Sequence, residues 1–326
     1  MTPRERAIAA LTMQTPDEVP TFELEFQISQ EMFGIDIQPE DLLRKNIGKL
    51  SAGEKERRLC ELAEDIVKVY DQLDYAIIPG PYGVGWVEGV NVSAEKRVLH
   101  REIIKLAGHE RMIGYHGDGT FAIPDGNEMY GFIYAISDDP ASVHARARHM
   151  AEEAIERNKR LAESGVEVLL LCSDYCYNTG PFLSPAMFSE FIQPYLAQII
   201  DAARREGLYT IKHTDGNIMP ILDQLVACRP HAIHSLDPMA GVDIRKVKQL
   251  AGGQVCLCGN VNCSLLQSGT EDDLRNSAQY ALEHGKPGGG YIYCTSNVPF
   301  KGVEPRRYQI VLDEWKKGRV YPPPDC

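Results

Sequence analysis

The chain is 326 residues long, 44% hydrophobic and 25% charged, with a mean hydropathy of -0.27, which excludes a disordered, collagen-like or membrane-spanning chain. Its 34 basic and 46 acidic residues give a net charge of -12 with no Lys/Arg block to offset it, which argues against nucleic acid or an anionic membrane as partner. Nine cysteines without a CxxC pair, and a start that lacks the apolar run of a secretory signal, lead to the expectation of a reduced, cytoplasmic protein.

Residues 1–73 read as an N-terminal helical extension that also carries a first strand, VPTFELE (19–25), and an acidic helix over about 54–73. DYAIIPG (74–80) reads as a second strand. Between 81 and 136 the pattern breaks, because EKRVLHREIIKL alternates like an antiparallel hairpin between Gly-rich turns and predicts an insertion over the mouth of the fold. From 166 onward five units repeat, each an apolar run, a polar or small stop and a segment of helical period. The strands are VEVLLLC (166–172), LYTIKH (208–213), HAIHSL (231–236), QVCLCG (254–259) and YIYCT (291–295). Helices are expected near 185–206, 218–228, 242–251, 271–285 and 304–318, with N-cap chemistry at Ser184-Pro185 and Thr270-Glu271. This alternation implies parallel strands with right-handed crossovers. Seven or eight such strands favour one α/β domain over 1–326, a TIM-type (β/α)8 barrel rather than an open doubly wound sheet.

In such a barrel the chemistry lies at the C-terminal ends of the strands. Those ends carry Cys172, Asp174, Tyr175 and Asn178, then His213 and Asp215, Ser235 and Asp237, Cys258 and Asn260, and finally Cys294, Ser296 and Asn297. His213 and Asp215 are two apart, which aims both side chains to one face of extended backbone, and Cys294 arrives from a strand that a closed barrel brings close. Imidazole, carboxylate and thiolate with an open fourth position describe a catalytic zinc site, with His213, Asp215 and Cys294 as metal ligands. The structural alternative has Asp215 as a helix cap, His213 as a satisfied core residue and Cys294 as a small buried hydrophobe. Cys258 is a further ligand candidate, and His116, Glu23 and Glu25 are candidates for the cavity wall. Gly288, Gly289 and Gly290 precede a strand and read as a turn, and no dinucleotide fingerprint, Walker loop, nucleophile elbow or HExxH motif occurs.

Four runs, SDYCYNTGPFLSPAMFSEFIQPYL (173–196), IKHTDGNIMPILDQLV (211–226), CGNVNCSLLQSGTEDDLRN (258–276) and GGGYIYCTSNVPFKGVEP (288–305), together resemble the uroporphyrinogen decarboxylase superfamily over about the C-terminal half. The resemblance implies a TIM barrel and one of two activities: porphyrinogen decarboxylation, or zinc-dependent methyl transfer to or from corrinoid cofactors. True decarboxylases carry an arginine-bearing M-R-Q-A-G-R type segment near the N-terminus, whereas this chain reads VPTFELEFQISQEMFG there, with acids in place of cations. That removes the anchor for a tetrapyrrole bearing eight carboxylates.

The methyltransferases that act on coenzyme M are similar in carrying H-x-C and a later Cys; here the pattern is H-x-D at His213 and Asp215, with Cys294 at the later position. A carboxylate in place of a thiolate implies a harder, more Lewis-acidic zinc, suited to polarising an oxygen. The expectation is therefore a corrinoid-dependent zinc methyltransferase of the O-demethylase type, which moves a methyl group from a small methoxylated substrate to the cobalt of a separate corrinoid protein. Its catalytic residues are His213, Asp215 and Asp174, and Tyr175, Asn178, Tyr82, Glu25 and His116 position the substrate. A metal-free decarboxylase, a methylcobalamin:thiol methyltransferase and a homodimer are open alternatives at this point, as is completion of the zinc site by Cys258 or Glu25.

Overall fold

The computed structural model describes residues 1–39, 47–80 and 93–322. Seven parallel strands form one curled sheet: β1 (Ile77–Pro79), β2 (Met112–His116), β3 (Val168–Leu171), β6 (Tyr209–His213), β7 (Ala232–His234), β8 (Cys256–Cys258) and β9 (Tyr291–Ile292), adjacent in that order. Thr21 makes parallel bridges to Tyr75, just before β1, and to Tyr293, just after β9, so one residue of the predicted first strand joins the two edges of the sheet. The expected TIM-type barrel is thus present, with VPTFELE reduced to that single paired position. β3 is apolar on both faces, as a buried parallel strand is expected to be, and Val168, Leu169, Leu170 and Leu171 are completely inaccessible.

Around the sheet lie α1 (Pro3–Leu11), α2 (Ser29–Phe33), α3 (Ala52–Leu73), α4 (Ser93–Ala107), α5 (Met129–Asp138), α6 (Pro140–Glu163), α7 (Pro185–Phe191), α8 (Gln193–Arg205), α9 (Leu222–Ala227), α10 (Ile244–Ala251), α11 (Glu271–Gly285) and α12 (Pro305–Gly318). The caps explain several starts. Ser184 accepts from the Met187 amide and Thr270 from the Asp273 amide, at the two N-caps expected from sequence. The helix expected over 185–206 breaks at Ile192, because Pro194 in the first turn of α8 has no N–H for the preceding helix and its ring crowds that turn.

The predicted insertion is corrected here. EKRVLHREIIKL is the helix α4, not a hairpin, and β2 inside the same span is a barrel strand. Its buried residues Leu99, Ile103 and Ala107 recur every four positions and pack toward α3, with Lys55 and Glu95 paired at 3.2 Å between the two helices. The antiparallel hairpin lies later, where β4 (Cys176–Tyr177) and β5 (Gly180–Pro181) follow β3. Residues 81–92, and Tyr82 with them, lie outside the described residues.

At the opposite end of the barrel the Gly288–Gly290 turn has φ of 76°, 73° and 58°. A Cβ on Gly289 would lie 2.7 Å from Thr15 Oγ1, so the N-terminal segment seals this end against bare backbone. Among the described residues no helix is long and apolar enough to cross a membrane.

Candidate active site

β6 ends in Lys212-His213, and alternation along the strand sends these two side chains to opposite faces. His213 is buried, and so is His234, its register partner at the end of β7. Their Nδ1 atoms are 2.8 Å apart, so one ring donates and the other accepts, and Phe22 stands edge-on to His234 with ring centroids 5.9 Å apart. Burial, reinforced by Lys212 and His116, pushes the His213 imidazole down to about 3, and burial holds His234 well below the usual histidine range. Both rings are therefore neutral.

The other nitrogen of His213, Nε2, faces two carboxylates, 3.8 Å from Asp174 Oδ1 and 3.7 Å from Asp215 Oδ1. These separations are too long for hydrogen bonds but fall within the span of two bonds of about 2.1 Å to one shared ion. One ligand atom from each of the three residues lies within 4.8 Å of the others, the grouping a metal ion requires.

Asp215 is fixed from two sides. Ser235 Oγ lies 2.9 Å from its Oδ1, and Asn297 Nδ2 donates to Oδ2 at 2.6 Å. Ser235 and Leu236 both have left-handed backbone, with φ of 85° and 50°, strain of the kind that collects at functional sites. Burial pushes the Asp215 carboxyl up to about 6, against the two hydrogen bonds that favour its charge. Asp174 accepts the Asp215 amide at 3.0 Å, and its side chain, 46% exposed, is the most open of the three.

On the outer face Lys212 is fully buried, donating to Asp118 Oδ2 and to the Ser173 carbonyl, both at 2.8 Å, while its ammonium lies 4.0 Å from the Tyr175 ring centroid. Burial opposes the Asp118 charge, but Lys212 outweighs it and holds the carboxyl down to about 2. This pair ties the segments after β2 and β3 to the end of β6.

Among the other expected site residues, His116 ends β2 half-buried, close enough to His213 to disfavour a second positive charge there. Glu25 is half-buried and accepts from Gln27 Nε2 at 2.7 Å, and its charge bears on Cys172. Asn178 is exposed at the tip of the β4–β5 hairpin.

Tyr175 departs from expectation. It is fully buried, hydrogen-bonded to Thr120 Oγ1 at 2.6 Å and packed edge-on against Phe188, so it offers no surface to a substrate. Cys294 departs as well. It is fully buried, the groups acting on its thiol are Glu23 and Cys256, and it does not join the three-residue grouping. The segment after β9 does reach the group, since Asn297 donates to Asp215, but the Cys294 side chain lies beside Glu23 and Cys256 instead. Cys258 is likewise inaccessible and outside the group. Asp174, expected as a catalytic group, takes the third position.

His234, Asp118 and Lys212 are not among the site residues expected from the sequence. The available signal was that both LYTIKH and the HAIH run place a histidine last in an apolar strand. A separate groove of about 580 Å³, lined by Phe121, Phe132, Glu128 and Arg146, lies between α5 and α6 and contains none of the three grouped residues.

Comparison with known proteins gives three findings. The family model described as uroporphyrinogen decarboxylase (URO-D) matches residues 125–313, more than half of the chain. Proteins named uroporphyrinogen decarboxylase from Thioalkalivibrio sulfidiphilus and Aliivibrio salmonicida are 23% and 25% identical, over 68% and 65% of this chain. The matched region spans 63% and 61% of those relatives' own lengths. A solved structure described as a methyltransferase from Methanosarcina mazei superposes with a TM-score of 0.74 at 17% identity, covering 97% of this chain and 99% of that one, and so shares the fold.

Proposed function

The chain belongs to the uroporphyrinogen decarboxylase (URO-D) family, an enzyme family, and within it we propose a metal-dependent methyltransferase that moves a methyl group from a small methoxylated substrate to the cobalt of a corrinoid protein. The observation that carries this reading is the convergence of one neutral imidazole and two carboxylates at the strand ends, with no thiolate among them. His213, Asp174 and Asp215 would hold the metal, zinc in the first instance, and this nitrogen and oxygen donor set gives a hard ion. Such an ion supplies Lewis acidity toward an ether oxygen, worth several kcal/mol when charge develops on it.

The protein's own groups prepare the site. Ser235 and Asn297 hold the Asp215 carboxylate in place, and the His213 ring stays neutral and so keeps a lone pair to offer. Asp174 stands open toward solvent, where a substrate enters, and His116 and Glu25 are the remaining candidates for its contacts. The absence of cysteine from the grouping weighs against a thiol as the activated acceptor.

The test follows cob(I)alamin methylation with a panel of methoxyarenes and methylamines, using protein stripped with a chelator and then reloaded. The reading expects turnover with methoxyarenes that is lost on stripping and restored by zinc; activity indifferent to the metal sinks it. A cofactor-free decarboxylase is the second reading, favoured by the names of the curated relatives. Against it, the stretch 19–34 contains no lysine or arginine to hold a polycarboxylate. Carbon dioxide release by the stripped protein would establish that reading instead.

A further inference from the structure

We propose that His234 is a positioning residue: it accepts a hydrogen bond from His213 Nδ1–H, and so leaves the Nε2 lone pair of His213 facing Asp174 and Asp215 for a metal. The inference rests on the metal reading of the same site and concerns a residue outside the ligand set.

The geometry defines two possible proton arrangements. The 2.8 Å contact joins two Nδ1 atoms, so only one of them carries the proton. If His234 were the donor, His213 would carry its own proton on Nε2, pointing between two carboxylate oxygens at 3.7 and 3.8 Å and forming a hydrogen bond with neither. If His213 is the donor, Nε2 is a bare lone pair facing those carboxylates, an arrangement that a cation resolves.

The metal reading selects the second arrangement. A ligating Nε2 is deprotonated, so a neutral His213 carries its proton on Nδ1, and His234 Nδ1, 2.8 Å away, is the atom that accepts it. A metal-bound histidine ordinarily passes its second N–H to an oxygen acceptor that fixes the ring, and here a second imidazole takes that place.

The first experiment is nitrogen NMR on protein carrying ¹⁵N-histidine, with the His213 signals assigned by their loss in His213→Asn. The expected result is a proton on His213 Nδ1; a proton on Nε2 overturns the inference. The second compares His234→Asn, whose amide oxygen replaces the acceptor, with His234→Leu, which removes it. Zinc affinity by chelator competition should fall about 10- to 100-fold in His234→Leu and stay within a few-fold of the parent in His234→Asn. The visible spectrum of the cobalt(II)-loaded protein should change only in His234→Leu. Equal affinity and spectra in His234→Leu and the parent overturn the inference alone, whereas a parent protein that takes up no metal overturns the metal reading with it.

Discussion

Glu23 is buried among Thr295 and Tyr308, each of which donates to its carboxyl. Burial nevertheless dominates and raises it from 4.5 to about 8. Because the folded-state pKa lies above the unfolded one, the stabilising protonated form is fully present below about pH 4.5 and is lost as pH rises through about 8. Glu23→Gln retains hydrogen-bonding capacity without the charge. Urea unfolding at pH 5 and pH 9 should therefore show the variant gaining on the parent by a few kcal/mol at the higher pH, roughly the size of the shift. An equal response in both proteins would place the titration elsewhere. At this scale the sequence revealed Asp174, His213 and Asp215, because polar residues that end apolar strands stand out. A place at a strand end does not say which way a side chain turns: Asn297 reaches Asp215 from the segment after β9, whereas the Cys294 thiol in the same segment lies beside Glu23 and Cys256.

Elements are held at the mouth by one buried charge pair. Lys212 Nζ and Asp118 are 2.8 Å apart, and together with Ser173 they join the segments after β2 and β3 to β6. Removing one partner leaves the other buried and uncompensated. Lys212→Met should lower the unfolding free energy by about 3–5 kcal/mol, and Asp118→Asn in the same chain should recover part of it. Additive losses in a double-mutant cycle would show that the pair is not coupled. The five C-terminal strand-helix units were legible because each carries its own period and cap. EKRVLHREIIKL was not, since its half-buried Val98 and Ile104 beside Leu99 and Ile103 blur the four-residue spacing into apparent alternation. VPTFELE has the pattern of a full strand but pairs with the sheet only at Thr21, because its apolar residues Val19, Phe22 and Leu24 bury without pairing along the sheet.

At the scale of the whole molecule the barrel separates stability from chemistry, with one end sealed by the N-terminal segment and the other carrying the grouped ligands. Gly289→Ala, strained at φ 73° and crowding Thr15, should cost about 1–3 kcal/mol in thermal unfolding while zinc affinity is unchanged. A parallel loss of affinity would show that the two ends are coupled. The net charge of -12 has a local form that bears on the site, since two of those acids stand beside His213. The central claim is that Asp174, His213 and Asp215 form a metal centre. The most direct test is metal analysis of the purified protein beside folded His213→Ala and Asp215→Ala variants: the account predicts about one divalent ion per parent chain and loss of it in both variants, and a metal-free parent or an undiminished content in the variants would contradict it.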